Sequence, residues 1–150
     1  MLALKLALYA AALLSSGLAL HGALGVVERG ARAAWIRFSA LVAACALVLG
    51  ALKLLLLNAQ LAGGLPRAFD AESFSWTWAM QAEPSLALAT ACLAAFAAWI
   101  LQRHWLALFT ALGFSASFAL TGHTQALAAP GLAPWAVGLH VLIASFWLAA

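Results

Sequence analysis

One apolar stretch decides the fold of this chain: it runs from Trp35 to Leu57 and reads WIRFSALVAACALVLGALKLLLL. Apart from Arg37 and Lys53 it carries no charged side chain, and it is longer than the ~20 residues with which a helix crosses a ~30 Å hydrocarbon layer. In lipid, backbone polar groups must find hydrogen-bond partners within their own segment. We therefore predict a membrane-spanning helix here.

Four similar stretches flank it, namely Leu2–Val27, Pro84–Leu101, Trp105–Thr121 and Pro134–Ala150. Of the 150 residues, 67% are hydrophobic and 7% are charged, whereas a soluble domain has about half apolar and about a quarter charged residues. The sequence predicts an all-α, polytopic transmembrane bundle of about five spans, in a single domain over residues 1–150. The first stretch also fits a cleaved signal peptide. However, its apolar residues continue past any plausible cleavage site to Val27, where charged residues follow, and this favours a membrane-spanning helix.

The distribution of charge predicts the orientation of the bundle. The loop of residues 28–32 and the turn of residues 102–104 are basic, so both belong in the cytoplasm. The connection of residues 58–83 is acidic and that of residues 122–134 has no charged residue, so both face outward. The N-terminus is then outside. Lys53 lies near the outer end of helix two, where its ammonium group can extend to the headgroups.

Composition and motifs also predict what the protein does not do. The net charge of +3 is scattered along the chain and forms no basic patch, so no nucleic-acid partner is expected. No Ser–His–acid set, carboxylate pair or glycine-rich phosphate loop is present, and we expect no enzyme. Cys45 and Cys92 stand alone and read as small buried side chains. The lipid bilayer is the one partner that composition predicts.

The outer connection between helices two and three ends in an aromatic run. We predict a short interfacial helix there, capped by Asp70, with Trp76 and Trp78 anchored at the headgroups. Pro84 fits the first turn of helix three, where its missing N–H donor costs nothing. Met80 is a conceivable soft metal ligand on this outer face, although a lone methionine is more often a packing residue.

Two of the four histidines are predicted to share a site. His123 lies at the outer mouth of helix four, and His140 lies about six residues into helix five, roughly 9 Å below its outer end. One hairpin therefore brings both imidazoles to the outer third of the membrane, with Thr124 and Gln125 placed to orient His123. Since neutral imidazole is a good ligand for copper or zinc, we predict a metal site at His123 and His140.

The other two histidines lie toward the cytoplasmic side. Gly17, His21 and Gly25 recur at a spacing of four, so His21 is expected to point into the bundle and to hydrogen-bond to a neighbouring helix. His104 stands in a basic turn and is expected to be solvated. An inner pair facing an outer pair suits a metal that passes inward, or two haems, so His21 joins Met80 as a weaker ligand candidate.

The C-terminal part of the chain resembles the copper-resistance protein D (CopD) family. Residues 118–123, FALTGH, place Gly-His at a helix end, and residues 138–148, GLHVLIASFWL, carry a Leu-His-x-Leu-x-Ala-x-x-Trp pattern. The outer segment of residues 69–84 is similar to the family's loop as well. The resemblance implies a multi-pass protein of the bacterial inner (plasma) membrane in copper homeostasis or resistance. Such a protein moves copper from the periplasm toward the cytoplasm, often beside a periplasmic copper-binding protein, and His123 and His140 are the family-like positions.

One departure from the family concerns length: family members continue for several more helices, whereas this chain ends at Ala150 inside helix five, as expected of a fragment or a truncated paralogue. Copper(I) is the expected ion, because a membrane site with few charged ligands suits a soft monovalent cation. Two alternatives stay open. One is a haem-binding electron-transfer protein with axial imidazoles, and the other is a cofactor-free structural or assembly subunit whose histidines bond only to neighbouring helices.

Overall fold

The computed structural model describes residues 1–121 and 131–150, and all regular secondary structure within these ranges is helical. The α-helices in these ranges are α1 (Leu2–Leu24), α2 (Arg32–Leu61), α3 (Ala71–Ile100), α4 (Leu106–Ala119) and α5 (Ala133–Leu148). A short 3₁₀ helix, Leu65–Arg67, lies between α2 and α3. The predicted all-helical fold is confirmed.

The helices differ in length in a way that matters for a membrane. Helices α1, α2 and α3 have 23, 30 and 30 residues and are each long and apolar enough to cross a bilayer. Helices α4 and α5 are apolar but have 14 and 16 residues, which gives roughly 21 and 24 Å at 1.5 Å per residue. The chain therefore has the character of a membrane protein with three helices of spanning length, and the crossing of the membrane by α4 and α5 stays a prediction.

Consecutive helices run antiparallel. Along the α1–α2 pair, Ser15 contacts Ser39 and Gly22 lies against Ile36, so residue numbers rise along one helix as they fall along the other. Helix α1 packs against α2, α4 and α5, while α3 packs against α2 and α4. The start of the chain, the α2–α3 connection and the end of α4 thus share one end of the bundle, which we call the N-terminal end. Both basic loops lie at the opposite end, the far end, and the membrane side that each end faces stays a prediction.

Small side chains form the contact surfaces between the helices. The core of the bundle is rich in alanine, and its buried members include Ala12, Ala40, Ala43, Ala46, Ala91 and Ala95. Between α1 and α2, the hydroxyl groups of Ser15 and Ser39 each donate to the other residue's backbone carbonyl, at 2.9 and 2.8 Å. Small residues let helix backbones approach closely, which is how helices associate in lipid where the solvent provides no hydrophobic drive.

Helix α3 begins where the interfacial helix was predicted to begin, after Asp70, and ends within one residue of the predicted end of helix three. The side chain of Asp70 accepts a hydrogen bond from the Ser73 backbone N–H at 2.9 Å, which confirms the cap. The helix then runs unbroken to Ile100, so the separate interfacial helix is wrong, and Pro84 lies in the helix interior rather than in a first turn. Proline there cannot donate to the Met80 carbonyl four residues earlier. The Gln81 side-chain amide donates to that carbonyl instead, at 3.3 Å, which explains how the helix continues past the proline.

The buried Asn58 side chain holds the connection between α2 and α3. Its amide N–H donates to the Ala68 carbonyl at 2.7 Å, and its amide oxygen accepts from the Thr77 hydroxyl at 3.1 Å. Both side chains are fully buried. Because buried polar groups need partners, this network fixes the position of the connecting segment against the first turns of α3.

Candidate functional site

Of the two predicted copper ligands, only His140 lies within the described residues. His123 lies outside the described residues, as do Thr124 and Gln125. His140 lies in α5, seven residues after Ala133, which is about 10 Å along the helix at 1.5 Å per residue. The pairing of the two imidazoles therefore stays a prediction.

The His140 side chain is exposed on an apolar face of α5. Trp135, Leu139, Ile143 and Trp147 are exposed on the same helix. The packed side of α5 is marked by Ser145, which is buried and lies against Gly17 of α1. Among the residues that the structure describes, none forms a hydrogen bond with the His140 imidazole.

Met80, a weaker candidate, is 57% exposed on the surface of α3. Within residues 1–121 and 131–150, no hydrogen bond joins its thioether to a histidine. Within the same ranges, no group of three or more His, Cys, Asp or Glu side chains lies close enough together to hold a metal ion. A complete metal site is therefore not assembled from the described residues alone.

His21, the other weaker candidate, is buried, with 2% of its surface exposed. Its ring stacks on Phe146 of α5, with ring centroids 4.4 Å apart, and meets the edge of Trp35 of α2 at 5.3 Å. The prediction that His21 points into the bundle is confirmed. The expected hydrogen bond to a neighbouring helix is wrong, because Nδ1 donates to the Gly17 carbonyl of its own helix at 3.1 Å.

This arrangement packs the His21 ring among aromatic side chains, and its weaker candidacy as a ligand stays a prediction. A carbonyl oxygen only accepts hydrogen bonds, so Nδ1 carries the proton and Nε2 is the ring nitrogen that keeps a lone pair for a metal ion. Helices α2 and α5 contact the ring through their aromatic side chains instead of through polar atoms. His104, by contrast, is exposed in the turn between α3 and α4, as predicted for a solvated residue.

The sequence did not predict a small cavity toward the N-terminal end, whose lining is largely apolar but includes several polar side chains. It has a volume of about 50 Å³ and lies among α1, α2, α3 and α4. Its polar lining residues are Tyr9, Lys53, Gln81, Ser85, Ser117 and Thr121. We call it the Lys53 cavity. The available signal was the charge of Lys53 inside an apolar span, since such a residue usually faces a bundle interior or a cavity.

Lys53 lies in the interior of its helix, and its predicted extension to the headgroups stays a prediction. Helix α2 continues to Leu61, so Lys53 lies about 12 Å, at 1.5 Å per residue, from the end of its helix. Its ammonium group donates to the Gln81 side-chain oxygen at 3.2 Å. Lys5 of α1 is close enough to repel this ammonium group, and no carboxylate in the described ranges offsets the charge. The cavity is therefore electropositive and unsuited to a metal cation.

No protein-family model matches the sequence, and no curated protein or solved structure matches it either. The resemblance to the CopD family thus depends on the two histidine motifs of the sequence itself.

Proposed function

We propose that this chain is a membrane protein of bacterial copper homeostasis that accepts copper(I) through His123 and His140. The observation that supports this best is the exposure of His140 on an otherwise apolar helix face. Ionisable side chains in membrane segments are rare and usually functional, because a polar group without a partner in lipid is unfavourable. A bound metal ion supplies such a partner for a neutral imidazole.

The packing of α4 against α5 is compatible with the second ligand. A Cβ atom built on Gly138 lies 3.8 Å from the Ala119 Cβ, so the end of α4 adjoins the turn of α5 that carries His140. His123 follows Thr121, the last described residue after α4, by two residues, which an extended chain spans in about 7 Å at ~3.3 Å per residue. That length is sufficient for His123 to reach the region of His140.

The chemistry of the ligands favours copper(I). Two neutral imidazoles bring no negative charge, so a monovalent ion is less costly to desolvate here than a divalent one. The ion would be two-coordinate, or three-coordinate with a ligand such as Met80 or a water molecule. The Lys53 cavity is not part of this site, because its ammonium group repels cations.

The cellular setting belongs to the same proposal. Three helices of spanning length support a membrane protein, and the basic loops at the far end support a cytoplasmic placement of that end. The copper site then faces the periplasm of a bacterial inner membrane, where a periplasmic copper-binding protein is the natural donor.

The test is copper(I) binding by the full chain, purified in a neutral detergent and titrated against a chromogenic copper(I) chelator. We expect His123→Ala and His140→Ala each to weaken binding at least tenfold. His104→Ala is the matched control, since it removes an exposed histidine at the far end, and it should bind like the unaltered protein. Circular dichroism and gel filtration verify that each variant is folded. Unchanged copper stoichiometry in both outer-pair variants would refute the proposal.

The same preparation separates the two alternatives. A Soret absorption band that disappears in His140→Ala indicates a haem protein. A colourless protein that retains no metal after dialysis, and whose histidine variants lose only stability, indicates a structural or assembly subunit.

A further inference from the structure

The Lys53 cavity has hydrogen-bond donors that nothing in the described structure uses. The half-buried Lys53 ammonium group has three N–H donors, and one of them bonds to Gln81. Tyr9 and Ser85 also line the cavity, and neither hydroxyl group has a hydrogen-bond partner within residues 1–121 and 131–150. Ser117 and Thr121 differ, because they donate to carbonyls of their own chain segment at 2.7 and 2.9 Å.

The residues that carry these donors belong to three different helices and line one small cavity. Tyr9 belongs to α1, Lys53 to α2 and Ser85 to α3. The cavity of about 50 Å³ has room for roughly four water molecules at 10–15 Å³ each, which is also about the size of a tetrahedral oxyanion. Apolar side chains, among them Leu54 and Leu57, form the rest of the cavity lining.

The charge of the cavity selects the kind of ligand. Lys5 adds a second positive charge near Lys53, and Glu83, the carboxylate nearest to the cavity in sequence, is exposed on α3 and makes no ion pair with Lys53. An ammonium group in an apolar segment is stabilised by an anion that accepts its hydrogen bonds. Phosphate groups have several acceptor oxygens and are abundant at a bilayer surface.

We propose that the Lys53 cavity binds a phosphate group, carried either by a phospholipid headgroup or by free inorganic phosphate. Lys53 supplies the charge and two donors, and Tyr9 and Ser85 supply one donor each. This inference does not depend on the copper proposal, because the cavity and His140 use different residues.

The test is isothermal titration calorimetry of the full chain in a phosphate-free maltoside detergent. One arm uses inorganic phosphate, a second uses short-chain phosphatidylglycerol, and a third uses the matching diacylglycerol, which has no phosphate. Binding in the first arm identifies free phosphate as a ligand, and binding in the second arm alone identifies a phospholipid headgroup. The diacylglycerol should bind at least tenfold more weakly than the phospholipid.

The variants assign the binding to the cavity. Lys53→Gln should weaken it at least tenfold, since charge-assisted hydrogen bonds are the strongest in such a site, and Lys53→Arg should stay within about threefold of the unaltered protein. Arg67→Gln is the matched control, because it removes an exposed cation at the N-terminal end outside the cavity, and it should have no effect. Tyr9→Phe keeps the ring packed on Phe118 and should weaken binding about threefold. If neither phosphate ligand binds, or if folded Lys53→Gln and Tyr9→Phe bind as the unaltered protein does, the proposal is wrong.

Discussion

The imidazole ring of His21 and the phenyl ring of Phe146 are stacked, with ring centroids 4.4 Å apart and an interplanar angle of 23°. This contact joins the first helix to the last, although the two residues are far apart in the chain. It depends on Gly17, one turn earlier on α1, where the absent side chain leaves space for the Ser145 carbonyl of α5. The stack therefore depends on the close packing of α5 against α1.

Replacement of His21 tests whether it is a packing residue. His21→Ala removes the contacts with Phe146 and Trp35 and opens a cavity, which should lower the free energy of unfolding by about 2–4 kcal/mol. His21→Phe keeps an aromatic ring and should lose less. Unfolding in a graded mixture of denaturing and mild detergent measures the change. Copper(I) binding should be the same in both variants as in the unaltered protein, and a folded His21 variant that cannot bind copper would show that the imidazole is a ligand.

Substitution of Gly17 tests the close approach of α1 and α5. A Cβ atom at this position overlaps the Ser145 carbonyl oxygen and lies 2.7 Å from the Ala149 Cβ. Gly17→Ala should therefore destabilise the protein by about 1–3 kcal/mol, measured by unfolding in a graded mixture of denaturing and mild detergent. Gly30→Ala is the control, since no atom lies within 4 Å of its added Cβ. Equal free energies of unfolding for the two variants would mean that α5 does not pack closely against Gly17.

The Asn58 network should be a major source of stability in the α2–α3 connection. Asn58→Ala leaves the Ala68 carbonyl and the Thr77 hydroxyl without this partner, and should lower the free energy of unfolding by about 2–3 kcal/mol. Thr77→Val removes one bond and should have about half that effect. Because the two side chains share a bond, the double variant should lose less than the sum of the single variants. Gln60→Ala, at an exposed position of the same helix, should change stability by less than about 0.5 kcal/mol. Strict additivity would contradict the network.

The cap of α3 predicts a dependence on pH. The hydrogen bonds from Ser73, first of all from its backbone N–H, hold the pKa of Asp70 below its ordinary value. The cap therefore contributes fully above the unfolded-state pKa of about 3.9, and its contribution is lost as the pH falls through the lower folded-state pKa. Hydrogen exchange of the Ser73 amide should accelerate over that acidic range beyond its intrinsic pH dependence. Asp70→Asn keeps an acceptor without a titrating group, so persistence of the extra acceleration in this variant would exclude Asp70 as its cause.

The properties of the candidate site residues that the sequence predicted correctly are those that depend on nearby residues in the chain. The burial of His21 followed from the spacing of small residues on its own helix, and the solvation of His104 followed from its basic turn. The Lys53 cavity was missed because its donors are distributed over α1, α2 and α3, and no pattern within one helix signals that they meet. The partner of Lys53 is Gln81, which lies on the next helix, in a segment that the sequence assigned to the outer connection before helix three.

The sequence by itself determined that the chain is a bundle of apolar helices and that Asp70 begins α3. Both properties are local, because a helix satisfies its backbone hydrogen bonds within its own segment and a cap bonds a residue three positions away. Only the tertiary structure decided that α3 continues through Pro84, that Lys53 turns inward and that His21 is enclosed by rings of α2 and α5. Each of these depends on a side chain from a distant part of the chain or from an adjacent turn. The periodicity of a single helix does not indicate which of these side chains will contact it.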